Sequence, residues 1–206
     1  MMRSLSVLAV LITAAIGAVF APPHTAFGQT TAMATFAGGC FWCVEADFDK
    51  VPGVIGTTSG YTGGKASNPT YSQVSAGSTG HTEAVEIVYD PSRIGYQKLL
   101  DVFWRNHDPL AKDRQFCDRG DQYRPAIFYH NDEQRKLAEA SKQAVQAKFA
   151  PRAVHTEIVK SSVFYKAEDY HQDYHEKNPV RYKFYRFNCG RDQRLEELWG
   201  KPDKSS

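Results

Sequence analysis

From Ala34 to Ala37 the chain carries a short extended run that Gly38 and Gly39 cut off. Apolar positions then recur at Phe41, Val44, Phe48 and Val51, a spacing that gathers side chains on one helix face, and Pro52-Gly53 stops it. Val54 to Tyr61 reads as a strand leading into the turn-rich GGKASNP. Between His81 and Tyr89 the pattern alternates. Glu83, Val85, Ile87 and Tyr89 share one face, with Thr82, Ala84 and Glu86 on the other. Asp90-Pro91-Ser92 opens a helix rich in Leu99, Leu100, Val102 and Phe103, and a loop runs from Asp108 to Asp121. A strand from Tyr123 to Tyr129, a helix from Asn131-Asp132 to Phe149 and a strand from Val154 to Val159 follow. Beyond Phe184 the pattern weakens to one short helix carrying Leu195, Leu198 and Trp199.

Strand, helix, strand, strand, helix, strand predicts an α+β fold: a two-layer α/β plait with a ferredoxin-like core. Helices cover one face of a mixed β-sheet, and a long irregular C-terminal segment follows. No internal repeat is visible.

The first residues belong to a different pattern. MMRSLSVLAVLITAAIGAVFAPPHTAFGQ has a lone Arg3, an apolar run from Leu5 to Phe20 and then small residues, the layout of a secretory signal peptide. Ala26-Phe27-Gly28 suits cleavage after residue 28; Val19-Phe20-Ala21 is the alternative, with Pro22 directly after it. An uncleaved anchor is the competing reading, since the run is near the lower limit for a membrane span. The expectation is an exported chain, periplasmic or secreted, with one catalytic domain over 29–206, monomeric and free of the membrane once the leader is gone. The 206-residue chain carries a formal charge of +2, and Arg3 leaves with the leader. Nothing in that balance suggests nucleic acid or a polybasic membrane patch.

Four cysteines in a domain of this size are too few to be required as staples, so they are free for chemistry. Cys40 and Cys43 in GGCFWCVEADF can be a redox couple, half of a zinc site, or two buried thiols. Cys40 sits where a strand turns into a helix, and unpaired N–H groups at a helix start favour thiolate over thiol. A thiolate is a nucleophile; the bland alternative is a small buried hydrophobe. Trp42 is out of step with the helical stripe, which suits the wall of a small apolar pocket. Glu83 shares its face with Val85, Ile87 and Tyr89. If that face is buried, its carboxyl stays protonated and becomes a proton donor; otherwise it sits solvated at the strand mouth. His171 and His175 stand four apart, a spacing that can bind zinc, but no HExxH pattern surrounds them and a solvated face is the plainer reading.

GGCFWCVEADF (38–48), GYTGG (60–64), NPTY (68–71), GHTEAVEIVYDP (80–91), FWRNHDP (103–109), DRGDQYRPAIF (118–128) and AEDYHQDY (167–174) together resemble the A-type peptide-methionine sulfoxide reductases. The blocks run in order from Gly38 to Tyr174. The resemblance implies reduction of methionine S-sulfoxide, free or in proteins, as a repair of oxidative damage. It implies no metal and no organic cofactor, but an external dithiol reductant of the thioredoxin-like kind. Carried over by position, the nucleophile falls on Cys40, the methyl-binding aromatics on Phe41 and Trp42, and the acid on Glu83. Tyrosines that hydrogen-bond the sulfoxide oxygen fall on Tyr71 and Tyr123, and a loop aspartate beside the site on Asp118.

The implied cycle leaves a sulfenic acid on Cys40, which a second cysteine converts to a disulfide. Family habit places that resolving thiol in the C-terminal segment, hence Cys189 first, then Cys117, then Cys43. Cys43 and Cys117 depart from the family pattern. The alternatives in other classes are a CxxC thiol–disulfide oxidoreductase and a metal-binding module.

Overall fold

The structure, a computed structural model, describes residues 30–201. The leader and its cleavage site lie outside the described residues. Strand β1 (Ala32–Ala37) leads through Gly38-Gly39 into helix α1 (Phe41–Phe48), and β2 (Val54–Thr62) follows. Gly39 has φ +87°, and a Cβ there would collide with Gln115, so the bend into α1 requires glycine. A short helix α2 (Tyr71–Ser75) follows the turn-rich GGKASNP, in a stretch where the sequence pattern predicts no element, and is stabilised by a Thr70–Gln73 capping box.

Next come β3 (Thr82–Tyr89) and α3 (Tyr96–Arg105), then a two-stranded ladder, β4 (Arg114–Gln115) with β5 (Asp118–Arg119), inside the expected loop. A 3-10 turn at Asp121–Tyr123 delays β6 to Ala126–Tyr129. Helix α4 (Asp132–Phe149) starts at Asn131, whose side chain accepts the Gln134 N–H, and β7 (Glu157–Lys160) and β8 (Tyr165–Lys166) complete the strands.

Six strands form one mixed sheet in the order β7-β6-β1-β3-β2-β8, antiparallel throughout except for the parallel pair β6–β7. Phe36 anchors one face. Its ring stacks on Phe103 at 4.8 Å, on Phe48 at 5.4 Å and on Tyr96 at 6.1 Å, joining β1 to α1 and α3. Ala138, Val145 and Phe149 of α4 join the same core, and Trp104 reaches Ser141 with its indole N–H at 2.9 Å. The opposite side is filled by Ala37, Ala84, Ala126 and Phe128. In its first half β3 is therefore buried on both faces, Thr82 and Ala84 included, which a simple two-face alternation does not predict.

The C-terminal segment corrects an expectation: beyond the short helix expected around Leu195, Leu198 and Trp199, it is helical too, not irregular. It forms α5 (Tyr174–Lys177), α6 (Pro179–Asn188, with Pro at the first turn) and α7 (Arg191–Trp199). Its signal is weak because arginines, rather than a continuous apolar stripe, fasten it. Arg186 pairs with Asp47 of α1 at 2.9 Å, and Arg194 with Asp108 at 2.8 Å. Arg191 is buried against the carbonyls of Gly38 and Asn106 and lies 4.4 Å over the Phe116 ring. Buried charges need such partners; Arg186 uses its partner to tie the tail to the last turn of α1, and Arg191 ties it to the bend before that helix.

Candidate active site

The bend after β1 brings Cys40 to the N-terminus of α1, where its carbonyl accepts the N–H of Cys43 at 3.1 Å. Glu83 arrives on β3 beside it and is 2% exposed. Its Oε2 accepts the Phe41 backbone N–H at 3.0 Å. The first free donor of the helix thus serves the carboxyl. Burial nevertheless pushes Glu83 up to about 8, and Asp118 and Cys43 add to the rise against the Phe41 hydrogen bond. At pH 7 the group is mostly the neutral acid, as buried-face placement predicted.

Cys40 departs from expectation. Burial, its hydrogen bond with Cys43, and the nearby Glu83 and Asp118 raise its pKa well above the ordinary thiol value. Its partner Cys43 is lowered to about 7 by the hydrogen bond from Cys40, with Arg191 and Arg186 helping against burial. A helix start alone does not make Cys40 the more acidic sulfur, because the groups packed around it are carboxyls. The arginines stand on the Cys43 side, where Asp47, one turn along α1, holds Arg186.

Around Cys40 lies an open pocket of about 70 Å³ lined by Cys40, Phe41, Trp42, Tyr71, Glu83, Asp118, Tyr123 and Tyr185. At roughly 10–15 Å³ per lodged water, that is room for the end of a side chain. All seven side chains expected for catalysis and substrate binding come together here, from α1, α2, β3, β5 and the 3-10 turn. Burial and the neighbouring Glu83 raise Tyr71 to about 12 and Tyr123 further, so both hydroxyls keep their protons.

Sequence reasoning missed Tyr185, His171 and Glu168. Tyr185 donates to Asp118 Oδ2 at 2.5 Å and closes the pocket from α6. His171, expected on a solvated face, is 2% exposed and precedes α5 rather than sharing a helix with His175. Its Nδ1 accepts the Trp42 indole N–H at 3.0 Å, and its ring lies 4.4 Å from Tyr71 and 4.9 Å from Phe41. Glu168 accepts from Tyr71 N–H at 2.9 Å and Tyr61 hydroxyl at 2.8 Å. The clustering of acidic, aromatic and histidine side chains in AEDYHQDY was the available signal.

Cys117 and Cys189 are bonded to each other, with Cα atoms 4.8 Å apart, leaving Cys40 and Cys43 as the free thiols. Among the described residues the grouped candidates for metal ligation are Cys117, Asp118 and Cys189, two of which the disulfide occupies.

A helix-borne thiol, a carboxylic acid kept neutral beside it and an aromatic wall define a thiol-dependent oxidoreductase. The chain belongs to the peptide methionine sulfoxide reductase family, whose pattern it matches over residues 32–203. It is 51% identical over 170 residues to the peptide methionine sulfoxide reductase MsrA of Bacillus licheniformis, covering 82% of this chain and 94% of that one. The solved methionine sulfoxide reductase A of Corynebacterium diphtheriae superposes with a TM-score of 0.70 at 36% identity, covering 73% of this chain and 76% of that one. Mxr1 from Saccharomyces cerevisiae, in complex with Trx2, matches with a TM-score of 0.50 at 25% identity, over 70% of this chain and 84% of that one.

Proposed function

We propose that the protein reduces methionine S-sulfoxide, free or in proteins, to methionine, with Cys40 as nucleophile and Glu83 as proton donor. The observation that carries this is the small pocket in which Cys40 and Glu83 meet Phe41, Trp42, Tyr71 and Tyr123. The aromatic walls receive the methyl and thioether carbons. The hydroxyls of Tyr71 and Tyr123 hydrogen-bond the sulfoxide oxygen, and Glu83 gives it a proton, which makes the substrate sulfur electrophilic. Cys40 thiolate attacks that sulfur, the oxygen passes from the substrate sulfur to the cysteine sulfur, and methionine departs, leaving Cys40 oxidised by two electrons as a sulfenic acid. Asp118, fixed by Tyr185, borders the pocket where that oxygen is handled.

With the Cys117–Cys189 bridge closed, Cys43 is the thiol in hydrogen-bond contact with Cys40. We assign it the resolving step in that state. Cys43 sulfur attacks the Cys40 sulfenic acid, water leaves and a Cys40–Cys43 disulfide forms. Cys189, the first expectation from family habit, takes part by exchange. Reduced Cys117 and Cys189 can receive that disulfide, returning Cys40 and Cys43 to thiols. A thioredoxin-like dithiol protein then resets the cycle, a reading the Mxr1–Trx2 complex supports by similarity.

Two further readings belong here. The order β6-β1-β3-β2, with α1 and α3 as the connecting helices, supports a ferredoxin-like plait at the centre of the sheet. The apolar leader supports export, with the enzyme acting in the periplasm or outside the cell. The deciding experiment is methionine release from methionine S-sulfoxide with a dithiol present. Cys40→Ser abolishes it under this proposal, and retained turnover in that variant overturns it.

A further inference from the structure

A second cavity, of about 450 Å³, opens beside the Cys117–Cys189 bridge and shares no lining residue with the Cys40 pocket. Cys189 forms part of its wall, together with Asp108, Lys112, Arg114, Phe116 and Arg194. The volume lies within the roughly 300–1,000 Å³ of small-molecule sites. Its charges are unequally matched. Arg194 is neutralised by Asp108 at 2.8 Å and Glu197 at 3.1 Å. Arg114 gives Nη2 to the carbonyl of Phe116 at 2.7 Å, a neutral acceptor, and Lys112 is exposed. Among the described residues neither Lys112 nor Arg114 has a carboxylate at ion-pair distance. The groove therefore combines two uncompensated cations with one half of an oxidised cysteine pair.

We propose that this groove seats a small thiol bearing carboxylate groups and directs its sulfur onto Cys189. Lys112 and Arg114 hold the carboxylates while the thiolate attacks Cys189 sulfur. The Cys117–Cys189 bond breaks, Cys117 leaves as thiolate and takes a proton from solvent, and a mixed disulfide stays on Cys189. A second donor thiolate attacks the donor sulfur of that mixed disulfide, releasing Cys189 as a thiolate and the donor as its own disulfide. Two donor thiols are oxidised and one protein disulfide is reduced to two thiols, so electrons balance. The inference adds an electron donor to the cycle proposed above, but its test reads the bridge alone and stands apart from methionine sulfoxide reduction.

The test uses the full chain as Cys40→Ser/Cys43→Ser, oxidised at Cys117–Cys189. Bridge reduction is timed with mercaptosuccinate, which is anionic, and with 2-mercaptoethanol, which is neutral. Each rate is divided by that thiol's rate on an uncharged model disulfide. At low ionic strength the normalised rate with mercaptosuccinate is expected to be roughly tenfold the higher, because fixed cations concentrate an anion at the groove. Lys112→Ala/Arg114→Ala, or roughly 0.5 M salt, brings the two together and leaves the 2-mercaptoethanol rate unchanged. Lys112→Gln alone, at an exposed position, gives a partial loss and guards against a misfolded double variant. Acid-quenched samples carry the mercaptosuccinyl adduct on Cys189. A ratio near one in the starting protein, a ratio that survives both substitutions, or an adduct on Cys117 overturns the proposal.

Discussion

Replacing Glu83 by Gln separates the proton that Glu83 carries from the space it fills. The amide keeps an oxygen to accept the Phe41 N–H, so the start of α1 stays in place. What is lost is an acid that ionises at about 8 instead of at the ordinary glutamate value of 4.5. That gap corresponds to about 5 kcal/mol in favour of the neutral form. The linkage follows from its sign. The folded protein holds this proton more tightly than the unfolded chain, so Glu83 costs nothing below pH 4.5 and costs progressively more as pH rises to about 8. At pH 7 the cost is about 3 kcal/mol, which a neutral isostere avoids. Glu83→Gln is therefore expected to melt higher than the parent at pH 7, by up to about 10 °C, and at the same temperature near pH 4.

Activity moves the other way. Loss of the donated proton is expected to slow methionine release by about 10²–10⁴-fold. The assay is single-turnover release from methionine S-sulfoxide between about pH 6 and 10, in a Cys43→Ser background so that the second thiol neither titrates nor resolves. With Glu83 present, the reactive form needs Cys40 ionised and Glu83 protonated; because Cys40 ionises above Glu83, the rate rises up to about pH 8 and then levels, further thiolate being offset by lost acid. In Glu83→Gln the amide has no proton to lose, so the rate goes on rising through about pH 8 towards the raised Cys40 pKa. A variant within about fivefold of the parent rate, or one that still levels near pH 8, refutes Glu83 as the acid. A slower but more stable protein cannot be explained by misfolding.

After one equivalent of sulfoxide, peptide mapping of the bridged protein is expected to find Cys40 linked to Cys43. In Cys43→Ser the sulfenic acid persists and reacts with dimedone, whereas a Cys40–Cys189 link there would restore Cys189 as the direct resolver. His171→Ala removes the acceptor of the Trp42 indole N–H and a ring against Phe41 and Tyr71. At about 1–2 kcal/mol the expected result is a KM raised by roughly tenfold with kcat within about threefold, and an unchanged KM dismisses the positioning role. Glu45, fully buried on α1 and raised to about 7 by burial and by Asp49 and Asp173, gives a second stability test. Glu45→Gln is expected to gain on the order of 1–3 kcal/mol at pH 8 and nothing near pH 4, read as denaturation midpoints at the two pH values.

The elements with a clean period were legible without the fold. The helical spacing after Gly39, the alternation of β3 and the capped α4 each state their own geometry, because a buried face repeats with the backbone. The principal site residues were legible too, although Tyr71 and Tyr123 were found through family resemblance rather than through any local pattern. Of the C-terminal helices only α7 was legible, from Leu195, Leu198 and Trp199; α6 was not, and the packing of both rests on Arg186, Arg191 and Arg194, which are fixed by partners far away in the chain. Tyr185 and His171 were hidden for the same reason: one is defined by Asp118, the other by the indole of Trp42.

By itself the order of residues determined which atoms of this protein can react: a cysteine after two glycines, a glutamate on an apolar strand, and aromatics beside them. Tertiary structure decided their ionisation and their pairing. Charge on a buried group depends on what surrounds it, and those surroundings come from distant segments. That is why Glu83 holds its proton, why Cys43 rather than Cys40 is the more acidic sulfur, and why Cys117 found Cys189.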